Sequence, residues 1–255
     1  MAVVRSPLSR RTLLRVGVAL AAFPALLGFA PVPAPTPQAP TPEASAPQAP
    51  TALAPTAPAP VPLTPTLPVT APRGKVIMII RHGEKPAKSA LPVGIDLLGR
   101  PDTHSLTEQG WIRAASLVGL FVPRPGSGRA TLPRPSRIYA SGTGDGGVEG
   151  NRPRQTVRPL AMALRVPVDT SFSRGDESRL IAQAATQPGP TLICWQHGEI
   201  PTMAAALART APAPPRTWPD DRYDVVWTFT STGTGWRFEQ VPERLLPGDA
   251  ASGIA

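Results

Sequence analysis

Metal-binding and redox side chains are scarce in this chain of 255 residues, which has one cysteine, Cys194, and three histidines. A lone Cys excludes an intramolecular disulfide framework and a Cys-rich zinc site, and three His give little material for a His-rich metal centre. Aromatic residues make up only 5% of the chain, with two Tyr, so a base-stacking surface for single-stranded nucleic acid is not supplied. No acidic residue precedes Glu43, and no internal repeat is visible. The chain is instead rich in Pro, with 36, and in positive charge, at a net +9. Fifteen of those Pro lie between Pro31 and Pro72, which divides the sequence into three zones.

Residues 1–30 hold four Arg and then the apolar run Val16–Ala30. A basic start followed by roughly fifteen apolar residues is the pattern of an export signal, since a full membrane crossing takes about twenty. Ser9-Arg10-Arg11-Thr12-Leu13-Leu14 resembles a twin-arginine signal, used for proteins exported already folded. The small-residue cleavage candidates ending at Ala30 and Ala34 are each followed by Pro, which hinders cleavage. A cleaved signal and an uncleaved N-terminal membrane tether therefore both stay open, and either makes the protein exported, periplasmic or otherwise extracytoplasmic. Residues 31–72 are nearly all Pro, Ala, Thr, Val, Leu and Gln, with Glu43 as the sole charge. Pro removes the amide donor and fixes φ, so this zone reads as a disordered, extended linker rather than helix or sheet. At about 3.1 Å per residue it could reach roughly 130 Å, a spacer between membrane and domain.

Residues 73–255 can build a core. Their net charge is +6, with 19 Arg against three Lys. That bias fits bidentate recognition of oxyanions and equally a coding sequence rich in G and C. Without a dense basic run, nucleic acid is not an expected partner. Lys75–Ile80 is a continuous apolar, β-branched run, the pattern of a strand buried on both faces, and Arg137–Ser141 and Thr191–Gln196 read likewise. Ser105-Leu106-Thr107-Glu108 has the spacing of a capping box, with Trp111, Ala114, Ala115, Val118 and Phe121 following at helical intervals. Further helices are expected over Thr156–Leu164 and Pro201–Arg209, and a terminal hairpin over Asp224–Thr230 and Gly235–Val241. Strands alternating with helices predict an α/β domain with a mostly parallel, mixed sheet. The active sites of such sheets lie beyond the carboxyl ends of the strands, where His82 and His197 fall, each followed by a Gly that permits close approach.

Phosphoryl transfer spreads charge over three oxygens and calls for several fixed cations around one point. A neutral imidazole among them can take the phosphoryl group covalently. Arg81 and His82 at one strand end, His197 at another, and Arg152 and Arg154 after a third could converge in this way.

These residues resemble the histidine phosphatase superfamily, also called phosphoglycerate mutase-like. The resemblance covers RHGEKP at Arg81–Pro86, Leu106-Thr107, Gly110, Arg152-Pro153-Arg154-Gln155-Thr156, and CWQHGEIP at Cys194–Pro201. It implies a three-layer α/β/α sandwich and a phosphohistidine formed on His82. Arg81, Arg152 and His197 would bind the phosphoryl oxygens, with Gly83, Glu84 and Arg154 as further substrate-binding residues and Arg154 the second choice to Arg152. Neither a metal nor an organic cofactor is implied. Two departures stand out. Ser141 and Arg152 are eleven residues apart, across GTGDGGVEGN, where the family has about four. The motifs also name no general acid: Glu199 is the first candidate, then Asp176 and Glu177, Glu84 is a candidate to orient Arg81 instead, and Gln196 cannot give a proton.

His104 reads as a loop histidine, Cys194 as a small core residue, and Trp218, Trp227 and Trp236 as packing for the hairpin. The expected function is an exported phosphatase acting on a small-molecule or protein phosphomonoester. The alternative is a non-catalytic phospholigand-binding module on the same fold. Substrate and oligomeric state are not written in the sequence.

Overall fold

The computed structural model describes residues 68–87, 93–123, 132–143 and 151–255. All belong to one unit, Pro60–Ala255. The export signal, nearly all of the linker and most of the Gly-rich excursion lie outside the described residues. Composition assigned residues 68–72 to the linker, yet Val69 and Ala71 pack on the core. The amide of Val69 donates to Ala206 O and its carbonyl accepts from Ala208 and from the Trp236 indole, while Ala71 is buried.

Seven strands form one mixed sheet in the order β3-β2-β4-β1-β6-β7-β5. They are β1 (Val76–Arg81), β2 (Arg137–Ala140), β3 (Val168–Asp169), β4 (Thr191–Trp195), β5 (Thr210–Ala211), β6 (Val225–Ser231) and β7 (Trp236–Pro242). β1 and β2 flank β4 in parallel, whereas β6 is antiparallel to both β1 and β7. The helices are α1 (Glu108–Phe121), α2 (Asn151–Leu164), α3 (Glu177–Thr186) and α4 (Ile200–Ala205).

Period-two geometry explains why the strands read as unbroken apolar runs. Ile77 and Ile79 of β1 join one buried cluster with Leu180, Ile181 and Met203 from α3 and α4, and with Trp218, Trp227 and Trp236. Met78 and Ile80 point the other way, into a second cluster with Leu117, Leu120, Val157 and Leu160 from α1 and α2. Each such fully buried side chain is worth about 1.5–3 kcal/mol. Cys194 is buried in the second cluster, where burial pushes its thiol well above the usual range.

Three local expectations need correction. The N-cap of α1 is Thr107, whose Oγ1 accepts from the Gly110 amide at 3.2 Å. Ser105 lies outside the helix, donating to Asp102 and accepting from Gln155, so there is no capping box at Ser105. The buried face of α1 is Gly110, Arg113, Ala114, Leu117, Leu120 and Phe121, with Ala115 exposed. The buried stripe is turned relative to the predicted one and includes Arg113, which is buried among Glu84, Glu243 and Asp249. Helix α2 begins at Asn151, five residues before the expected start, and so carries Arg152 in its first turn. Helix α3 was not anticipated; no element was expected from the sequence over Glu177–Thr186.

Candidate active site

Register brings the two histidines together. Arg81 of β1 pairs with Trp195 of parallel β4, and the His82 amide donates to Trp195 O at 3.1 Å. His82 and His197 thus leave adjacent strands at the same sheet edge. The loop after β1 is tethered on three further sides. The Gly83 amide donates to Thr156 Oγ1 (2.8 Å), which itself donates to Arg152 O (2.8 Å). Glu84 O accepts from the Thr107 amide at 3.0 Å, and the Glu84 carboxylate binds Arg113. A Cβ on Gly83 would lie 3.0 Å from Gly110 O, so glycine allows this loop to rest on α1. Gln155 completes the frame by accepting from the Leu106 amide and donating to Ser105 Oγ.

A cavity of about 370 Å³ opens at this edge, with His82, Arg152, His197 and Glu199 in its wall beside Lys85, His104, Arg174 and Gln196. The His82 ring is buried, and its Nδ1 lies 2.7 Å from Gly83 O. A carbonyl only accepts, so Nδ1 carries the proton and Nε2 keeps its lone pair. Burial, with Arg81, Arg152 and Lys85, pushes His82 down to about 3, against the opposing Gly83 carbonyl. The ring is therefore neutral near pH 7 and competent as a nucleophile.

Arg81, next in sequence to His82, is 1% exposed and does not itself line the cavity. Its Nη1 donates to the carbonyls of Pro219 (3.1 Å), Asp220 (2.7 Å) and Arg222 (2.9 Å), and its guanidinium lies 3.7 Å from the Tyr223 ring centre. Its Nε and Nη2 are buried without a hydrogen-bond partner in the protein. That edge is the fork that grips an oxyanion bidentately, and leaving charged donors unpaired is costly unless a ligand uses them. Gln196 Oε1 and His197 Nδ1 are likewise buried and unpartnered, so four of the five such atoms among the described residues belong to this one site.

The remaining candidates are placed differently. Arg152 donates to Thr103 O and Ser105 O while lining the cavity. Arg154 is exposed in a separate hollow with Leu97 and Arg158. Glu84 does not orient Arg81 through a hydrogen bond; it is spent on Arg113, which also binds Glu243 and Asp249. Glu177 accepts from the Trp195 indole, and Asp176 from the Ser173 amide, so both serve the α3 entry rather than the cavity. Glu199 does line the cavity, ion-paired with Arg174. His104, read as a bland loop residue, is also in the wall. Sequence reasoning missed the segment from Pro219 to Tyr223 altogether. Its one signal is a pair of Asp in an Arg-rich chain, between the last helix and the hairpin.

Among the described residues, no group of three or more His, Cys, Asp or Glu could hold a metal ion, and no helix is long and apolar enough to cross a membrane. No family model matches the sequence, and no curated protein matches it. Among solved structures, the chain is similar to the "putative phosphohistidine phosphatase SixA" of Agrobacterium tumefaciens. The two share 16% identity at a TM-score of 0.35, over 65% of this chain and 96% of the other.

Proposed function

We propose that this chain is a phosphatase of the histidine phosphatase superfamily, with that group's three-layer α/β/α fold, which hydrolyses phosphomonoesters through a phosphohistidine on His82. The observation that carries this reading is the unpartnered Nε–Nη2 edge of Arg81, buried next to the neutral ring of His82. In the first step Nε2 of His82 attacks phosphorus; the N–P bond forms, the ester P–O bond breaks, and the leaving oxygen takes a proton. In the second, water attacks phosphorus and returns a proton to the Glu199 carboxylate, the N–P bond breaks with its electron pair going back to Nε2, and inorganic phosphate leaves. Arg81, Arg152 and His197 hold the phosphoryl oxygens, the two arginines as preorganised charges of the kind that supplies much of an enzyme's rate. Glu199 is the proposed proton donor, and its pair with Arg174 must open before it can act. The substrate is a small-molecule or protein phosphomonoester, and the chemistry calls for no metal or cofactor. Export, with or without a membrane tether, rests on the twin-arginine and apolar pattern of residues 1–30.

That same ion pair favours one alternative, a phospholigand-binding module without turnover. Phosphate release by the full-length protein from a broad panel of phosphomonoesters, with His82→Ala beside it, separates the two. Turnover that is inhibited by vanadate and abolished in the variant supports the enzyme. Inorganic phosphate bound by a folded wild type that turns over nothing in the panel sinks it in favour of the module.

A further inference from the structure

Asp220, in the segment between β5 and β6, engages the site through two different groups. Its backbone carbonyl accepts from Arg81 Nη1 at 2.7 Å, and its side-chain Oδ1 lies 2.6 Å from His197 Nε2. An ionised carboxylate only accepts, so Nε2 carries the proton and Nδ1 is the bare nitrogen of a neutral His197 ring. Nδ1 is buried with no partner in the protein. A bare nitrogen repels an oxyanion, whereas a protonated one binds it.

The groups that act on this ring are Arg81 and Lys85, which oppose a second proton, and Asp220, which favours one. Burial is the largest influence and adds to the cations, so the free ring is held below the ordinary histidine value. Glu199, two residues along the chain, is taken up by Arg174. A tetrahedral oxyanion in the cavity offsets the cations and leaves Asp220 to stabilise the imidazolium.

We propose that Asp220 is a positioning residue for His197: it holds Nε2–H toward itself and lets Nδ1 take up a proton when an oxyanion binds, so that binding is coupled to protonation. This rests on the reading of the cavity as a phosphoryl site. The Asp220 side chain is 85% exposed, so its replacement tests this contact without disturbing the core.

The experiment is calorimetric titration of the full-length protein with tungstate, a dianion that does not itself titrate near neutral pH, in buffers of differing ionisation heat. The wild type should take up protons on binding, and ¹⁵N spectra should show His197 Nδ1 becoming protonated. In Asp220→Asn, which keeps an acceptor but loses the charge, affinity should fall roughly three- to tenfold, with proton uptake displaced to lower pH; the range allows for solvent screening. Asp221→Asn removes the same charge from the neighbouring exposed residue and should stay within about twofold of the wild type. Unchanged affinity and proton uptake in Asp220→Asn, or an equal loss in Asp221→Asn, would overturn the coupling while leaving the phosphoryl site intact. A folded wild type that binds neither tungstate nor inorganic phosphate would overturn both.

Discussion

Two glycines of α1 provide a matched test of how the loop after β1 is held. Replacing Gly by Ala in a helix stabilises it by about 0.5–1 kcal/mol, because Gly has more freedom to lose on folding. Gly119 should show this gain undiminished, since an added Cβ would meet nothing within 4 Å. At Gly110 the same Cβ would lie 2.5 Å from Glu84 O, 2.9 Å from Glu84 N and 3.1 Å from Leu106 Cβ. Two of those atoms are backbone, and the Glu84 carbonyl is already fixed by Thr107, so no side chain can swing clear. Overpacking of this kind costs about 1–3 kcal/mol, and its upper half applies here. Subtracting the helix gain leaves Gly110→Ala destabilised by roughly 1–2.5 kcal/mol. At about 2–4 °C per kcal/mol for a domain of this size, its melting temperature should fall by roughly 2–10 °C, against a rise of about 1–4 °C for Gly119→Ala. The loop that must move carries His82, and a misplacement near 1 Å costs up to about a hundredfold in turnover. Thermal unfolding followed by circular dichroism, with phosphate release on the same samples, measures both effects. Equal stability of the two variants, or full turnover in Gly110→Ala, would refute the close-packing argument.

The other predictions concern pH. His82 falls from an ordinary 6.5 to about 3 on folding, so the unfolded chain binds its proton first. Its contribution to stability is present above about 6.5 and lost as pH falls toward 3, while the folded ring stays neutral throughout that window. Ring ¹⁵N shifts recorded from pH 8 to 4 should therefore show no titration of His82, and a midpoint near 6 would contradict this. Glu243 behaves in the opposite sense: burial, opposed by Arg113, raises it to about 8. Its stabilising proton is fully in place below about 4.5 and lost as pH rises through 8, so Glu243→Gln should resist alkali better than the parent. Denaturant titrations should show the variant losing less stability than the parent as pH rises from 6 to 8, and parallel pH curves would count against it.

The strands and the two strand-end histidines were legible because their signals are local: β1 and β4 are apolar runs, each ending in His-Gly. The preference for Arg152 over Arg154 came from the family resemblance, whose R-x-x-Q-T pattern falls on Arg152, and in the structure Arg152 lines the cavity while Arg154 faces a separate hollow. What could not be read was anything decided by distant partners. Arg113 looks like a surface residue until Glu84, Glu243 and Asp249 are brought around it from both ends of the domain. Asp220 and Tyr223 carry no motif, and only the fold sets them against His197 and Arg81. Helix α3 was hidden by the polar residues Ser173 to Arg179 at its entry, which gave a loop signal stronger than the short apolar repeat behind them.

The clasp on Arg81 ties the site to the chain's order of synthesis. Arg81 emerges early, but the carbonyls that orient it come from residues 219, 220 and 222, and the Glu84 side of the loop is tied through Arg113 to Asp249. Contacts of such high sequence separation form late in folding. If the cavity binds oxyanions as proposed, a chain cut short of Asp249 should bind them more weakly, and oxyanion affinity would report that folding has reached the last dozen residues.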